Sequence, residues 1–206
     1  MSRHEPVLNP VPIAELRPTQ ITVGYREVSE KRRAWREKSD AEGGKYLGRH
    51  MVPVVRGPKD RYYLIDHHHL CRALSEEGVE EVLVDVQADL RALKPAEFWT
   101  YLEQRAWCHP YDAHGERVDY DEIPKRIADL PDDPYRSLAG ELRRAGGFAK
   151  EITPFSEFIW ANYLRRRVKR KLVEDDFGAA LTKALRLAKS PDAGFMPGWC
   201  GPAPDD

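Results

Sequence analysis

No run in this chain comes near the ~18 uninterrupted apolar residues of a membrane-spanning helix, and the opening Met-Ser-Arg-His-Glu-Pro lacks the apolar stretch of a secretory signal. Those two absences make a cytoplasmic protein with no membrane partner the expectation. Cysteine is scarce. Cys71, Cys108 and Cys200 form an odd count without a short paired spacing, which argues against a disulfide framework and a cysteine-rich zinc site and leaves reduced thiols. An excess of either charge is lacking as well: 33 Lys and Arg face 34 Asp and Glu, a net charge of -1. Overall composition therefore draws the chain neither to nucleic acid nor to anionic lipid, and such binding would need a local patch. No internal repeat is present.

What is there suits one sizeable core or a compact domain with an extension, in 206 residues. Residues Val11 to Leu16 read as a short strand and turn, and Ile21-Thr22-Val23 as a second strand ended by Gly24. The charged stretch from Arg26 to Ser39 has one narrow packing stripe, Val28, Arg32 and Trp35, and reads as an exposed helix that Gly43-Gly44 breaks. Two apolar runs, Met51 to Arg56 and Arg61 to Ile65, flank the turn cluster Gly57-Pro58-Lys59-Asp60 and predict a hairpin. A helix capped by Asp66 and ended by Gly78 follows, then a strand from Val79 to Val86. The second half is helical: one helix opens at Pro95 and holds Phe98, Trp99, Leu102 and Trp107, and another runs from Asp133-Pro134 to Gly146-Gly147. The longest carries an apolar face from Phe155 to Leu172, a last helix spans 176–189, and the tail from Pro191 reads as irregular. The expected fold class is α+β: a small mixed sheet domain over residues 8–90, a helical extension over 91–190 packed on it, and an irregular tail over 191–206.

Chemistry concentrates at Leu64-Ile65-Asp66-His67-His68-His69-Leu70-Cys71-Arg72, where three adjacent imidazoles sit at a strand-to-helix turn. A helix N-terminus offers unsatisfied N–H groups and a partial positive charge, so side chains gathered there commonly handle phosphate. A plainer reading makes Asp66 a cap and the imidazoles polar surface. Consecutive helical positions splay by about 100°, so the three rings cannot all converge on one metal ion.

The run Pro12-Ile13-Ala14-Glu15-Leu16-Arg17-Pro18-Thr19-Gln20, the hairpin, and Ile65 to Leu74 followed by Gly78 resemble the two boxes of the ParB/sulfiredoxin superfamily. Thr19 to Tyr25, Glu97-Phe98-Trp99, Asp133 to Gly140, Gly146 to Lys150 and Pro154 to Phe158 resemble its ParB-like nuclease branch, so the broad likeness covers residues 8–90 and the narrow one almost the whole chain. The resemblance implies a small sheet domain whose second box binds nucleotide phosphates, with ATP, ADP or CTP and Mg2+ as the ligands to expect. It also implies a phosphoryl-transfer or nucleotide-hydrolysing enzyme; the alternatives are a DNA-binding protein or nuclease, and a non-catalytic binding module. The second box of the superfamily usually carries Gly before its central pair and Arg after it, where this chain has His67 and Leu70. His68 and His69 match the paired imidazoles of the free-serine kinases, with Asp66 the acid before them; the reactive cysteine of sulfiredoxin has no counterpart, because Cys71 falls inside the helix.

These readings select candidate residues. His67, His68, His69 and Arg72 are expected on phosphate, with His68 also exchanging protons and Asp66 orienting a ring or holding Mg2+. Glu27 is the candidate base, with Glu30 as its rival, and Lys31 would stabilise a transferring phosphoryl group; at i, i+4 Glu27 and Lys31 also suit a solvated ion pair. Arg136, Arg143 and Lys150 are a candidate second anion clamp, and Ser137 has no base beside it to make it a nucleophile. Arg165 to Lys171, six basic residues in seven, is a solvated face or a nucleic-acid track whose single aromatic, Tyr163, offers little stacking. The sequence fixes no oligomeric state, acceptor or metal.

Overall fold

The computed structural model describes residues 9–202. The chain divides into two compact units. One comprises residues up to Ile21 with Val28–Asp112 and Arg117–Pro131; the other comprises Thr22–Glu27, Ala113–Glu116 and the residues from Asp132 on. The expected boundary at residue 90 is therefore not where the chain divides. Residues 91–131 stay with the sheet because Phe98 and Leu102 pack into the same cluster as Val55 and Tyr63.

The first unit holds a five-stranded mixed sheet. Strands β1 (Asn9–Pro12), β2 (Arg17–Pro18), β3 (Val52–Gly57), β4 (Arg61–Leu64) and β5 (Glu81–Asp89) lie in the order β1-β5-β3-β4-β2. The β3–β4 and β1–β5 pairs are antiparallel, and β3–β5 and β2–β4 are parallel. The predicted hairpin is thus present. A register shift at Val54/Val55 breaks the strict alternation of β3 and lets both side chains be buried. Edge strand β1 carries Pro10 and Pro12; since Ile13 N–H points inward to the Glu80 carbonyl, the two prolines occupy the outward amide positions and blunt that edge. Gly57 has no Cβ for a physical reason: one would stand 2.6 Å from the Tyr63 ring and 2.7 Å from that of Phe98. The stretch 21–23 is buried but forms only one isolated bridge, Val23 with Asp132, rather than the expected strand.

Helix α1 (Tyr25–Arg49) runs through Gly43-Gly44 instead of breaking there. Trp35 and Tyr46 meet edge to face across the glycines at 5.5 Å, and such packing offsets the ~1 kcal/mol that each mid-helix glycine costs. Arg32 and Arg36 both bind Glu77 at the far end of α2 (His68–Glu76), which buries Leu70, Cys71, Ala73 and Leu74. Helix α3 (Pro95–Gln104) stops before Trp107 because Ala106 turns left-handed at φ 53°.

The second unit is built from α4 (Pro134–Arg144), α5 (Ser156–Arg165), α6 (Arg170–Asp175) and α7 (Phe177–Lys189) around Leu138, Leu142, Phe148, Trp160, Leu164 and Ala184. The long helix expected to reach Leu172 ends at Arg165. Buried Val168 lies in the intervening turn, and its carbonyl accepts from the Tyr135 hydroxyl at 2.7 Å, which leaves it no role in a continuing helix. The tail expected to be irregular is pinned as far as Gly198, through Trp160 Nε1–H to the Pro197 carbonyl and Ala149 N–H to the Gly198 carbonyl. Residues 203–206 lie outside the described residues. Among the described residues no helix is long and apolar enough to cross a membrane.

Candidate phosphate site

Between the end of β4 and the first turn of α2 the backbone must reverse, and His67 makes that possible in the left-handed region, at φ 66° and ψ 23°. This is where the superfamily resemblance leads one to expect glycine, and a side chain there costs about 1–2 kcal/mol. His67 is the N-cap and makes no capping hydrogen bond with its side chain. Its carbonyl starts the helix by accepting from Cys71 N–H at 2.9 Å. Asp66 is exposed and caps no amide inside the helix; its Oδ1 accepts from His67 N–H at 2.6 Å. Among the described residues His67 Nδ1 is buried and has no hydrogen-bond partner. Burial pushes the His67 imidazole below its ordinary value, against the pull of Asp66, and the charges of Lys31 and His50 lower it further.

The other predicted residues divide. His68 is only 3% exposed and holds the fold together: Nε2 accepts from Thr19 N–H at 3.2 Å, and the other ring nitrogen donates to the Leu64 carbonyl. A backbone N–H can only donate, so Nε2 is unprotonated; burial first, then His69 and His67, keep the ring well below its ordinary range. His68 is therefore no phosphate contact and no proton donor at neutral pH. His69 is buried as well. Arg72 is spent internally, with Nε on Glu76 at 2.7 Å and Nη1 on the Leu130 carbonyl at 3.0 Å and that of Ala128. Cys71 is fully buried and its thiol is pushed up by desolvation, as a packed side chain should be.

Glu27 falls in the second unit, 3.4 Å from Nη1 of buried Arg136. Arg136 also pairs with Glu157, and Arg143 Nε meets the same carboxylate at 2.6 Å. The candidate anion clamp is thus closed on the protein's own carboxylates, and Lys150 is exposed. Nearby polar residues are caps: Asp132 accepts from Tyr25 N–H at 2.7 Å, Ser137 Oγ from Arg26 N–H at 3.3 Å, and Asp133 from Tyr135 N–H at 2.9 Å. Sequence reasoning missed Thr19, whose N–H, hydroxyl and carbonyl are all engaged, with His68, the Leu64 carbonyl and His109 N–H. It also missed His50, which stacks on Tyr46 and lies in the field of His67. No spacing rule ties position 50 to the second box. Among the described residues no group of three or more His, Cys, Asp or Glu is placed to hold a metal ion.

A strand-to-helix turn on a small mixed sheet, with a polar N-terminal cluster, places the chain in the α+β class. A family model described as "Putative ParB-like nuclease" matches residues 9–166, more than half of the chain, and this protein belongs to that family. The crystal structure of protein Atu1540 from Agrobacterium tumefaciens is 54% identical, with 96% of this chain and 100% of that one covered at a TM-score of 0.89. The parS-bound crystal structure of the C-terminally truncated chromosome-partitioning protein ParB from Caulobacter crescentus is 16% identical, covering 89% of this chain and 99% of that one, with a TM-score of 0.31. No curated protein matches.

Proposed function

We propose that this ParB-like protein binds a phosphate-bearing small molecule at the turn from Asp66 to His69, and that a nucleoside phosphate such as ATP, ADP or CTP is the form to test first. One observation carries the proposal. A histidine holds a left-handed position that glycine would fill without strain, and its buried Nδ1 has no partner among the described residues. Strain and an unsatisfied polar atom at one residue, beside a helix N-terminus, are what a ligand contact would explain once the ring turns to bring the buried nitrogen to the surface. Lys31 adds positive charge, since its field already acts on the His67 ring. The exposed Asp66 carboxylate can hold Mg2+ carried in with the nucleotide.

Neither His68 nor Glu27 is poised for proton transfer. Binding without turnover therefore fits the site better than the phosphoryl transfer or nucleotide hydrolysis suggested by the superfamily. Thermal denaturation with ATP, ADP, CTP or inorganic phosphate, with and without Mg2+, tests binding: a ligand at a hundredfold excess over its Kd stabilises by ~2.7 kcal/mol. An unchanged melting temperature at millimolar concentrations of every one would refute it.

A further inference from the structure

Within the second unit, the turn that joins α5 to α6 concentrates cations that the fold does not neutralise. Of the six basic residues from Arg165 to Lys171, Arg165 pairs with buried Asp133 at 2.6 Å, Arg170 with Glu174 at 2.7 Å, and Lys171 with Asp175. Arg166 and Lys169 are exposed and have no ionic partner among the described residues. Arg167 lies over the Tyr163 ring, 3.8 Å from its centroid, and also has no carboxylate partner among the described residues. The sequence offered this patch only one aromatic, Tyr163, and that ring is 6% exposed. The fold supplies another. Phe195, 32 positions away in the tail, stands edge to face with Tyr163 at 6.3 Å and is 77% exposed. It owes that position to the anchored tail, through the Trp160–Pro197 and Ala149–Gly198 hydrogen bonds and buried Met196 next to it.

An open aromatic ring that shares Tyr163 with Arg167, in the unit whose α5–α6 turn also carries Arg166 and Lys169, suits a polyanion that also presents planar rings. We propose that the α5–α6 turn binds single-stranded nucleic acid, with one base stacked on Phe195 and the phosphates of neighbouring nucleotides on Arg166, Arg167 and Lys169. A duplex keeps its bases stacked on each other and would gain only the charge contacts; an inorganic anion would not use the ring at all. The site shares no residue with the Asp66–His69 turn, so either can exist without the other.

The test is fluorescence anisotropy of a labelled oligothymidine against the full chain at low salt, with a duplex of equal length as the comparison. Binding should weaken with salt at a slope of about -0.7 per phosphate contacted, hence roughly -2 for three cations. The Arg166→Glu/Lys169→Glu variant should abolish it. Phe195→Ala should weaken the single strand roughly 5-fold or more, as expected for one stacked base, while leaving the duplex unchanged, and Phe195→Trp should restore it. No binding at low salt, equal loss of single strand and duplex in Phe195→Ala, or undiminished binding by Arg166→Glu/Lys169→Glu would each overturn the proposal. So would a preference for phosphatidylserine vesicles over oligothymidine in competition, which would assign the patch to a membrane surface instead.

Discussion

Replacing His68 by glutamine should change the pH dependence of stability more than its size at neutral pH. The native ring must be neutral, because Nε2 accepts from Thr19 N–H, and burial holds it well below the ordinary value of 6.5 that it regains in the unfolded chain. Below that value the unfolded state takes up a proton that the native state refuses, so stability falls as pH falls; above it both states are neutral and the contribution is flat. The limiting slope is ~1.4 kcal/mol per pH unit, which amounts to about 2 kcal/mol lost between about pH 7.5 and pH 5. A glutamine amide can still offer oxygen to Thr19 N–H and N–H to the Leu64 carbonyl, so its cost at high pH should be only about 1 kcal/mol. Urea denaturation of both proteins across this range measures the difference directly. The wild-type advantage should vanish and reverse as pH drops. Parallel profiles, or an NMR titration that places His68 near 6.5, would refute this assignment.

Other positions give independent checks. Ala106 ends α3 in the left-handed region, with Trp107 N–H bonded back to the Leu102 carbonyl at 2.8 Å, so Ala106→Gly should raise stability by about 0.5–1 kcal/mol in chemical denaturation. Arg165→Met would leave Asp133, 2% exposed, without its countercharge and should cost about 3 kcal/mol at neutral pH. Burial already holds the Asp133 carboxyl above its ordinary range, so the deficit should shrink on acidification as it protonates, a tilt opposite to that of wild-type His68. Gly24→Ala would set a Cβ 2.7 Å from Ser137 Oγ and 2.8 Å from its backbone N, and should lower the melting temperature by an amount equivalent to about 2 kcal/mol.

The hairpin, the Asp133-Pro134 helix start and the α2 junction were all legible, because turn chemistry and apolar periodicity act over a few residues. The ParB-like boxes also pointed to Asp66 to His69 as the turn to test. What the sequence hid was the use of each side chain. His67, His68 and His69 are alike in the sequence, yet one is strained with an orphaned nitrogen and the next is a buried strut, a distinction made by Thr19, 49 positions from His68. Arg136 and Arg143 read as an anion clamp because nothing local revealed that Glu27 and Glu157 would fill it. Gly43-Gly44 read as a break because the Trp35–Tyr46 contact spanning it joins two rings of the same helix too far apart in sequence for the local i, i+3 or i, i+4 pattern to announce it. Phe195 reaches Tyr163 only through the anchored tail.

On the proposed function, the His67 ring serves a phosphate-bearing ligand rather than the fold. Calorimetric titration of a nucleoside triphosphate with Mg2+ into wild type and His67→Gly tests it most directly. Glycine should make the protein about 1 kcal/mol more stable by removing the left-handed strain, and should weaken or abolish the binding isotherm. A wild type that takes up no nucleotide, or a glycine variant that binds as tightly and is less stable, would contradict the account.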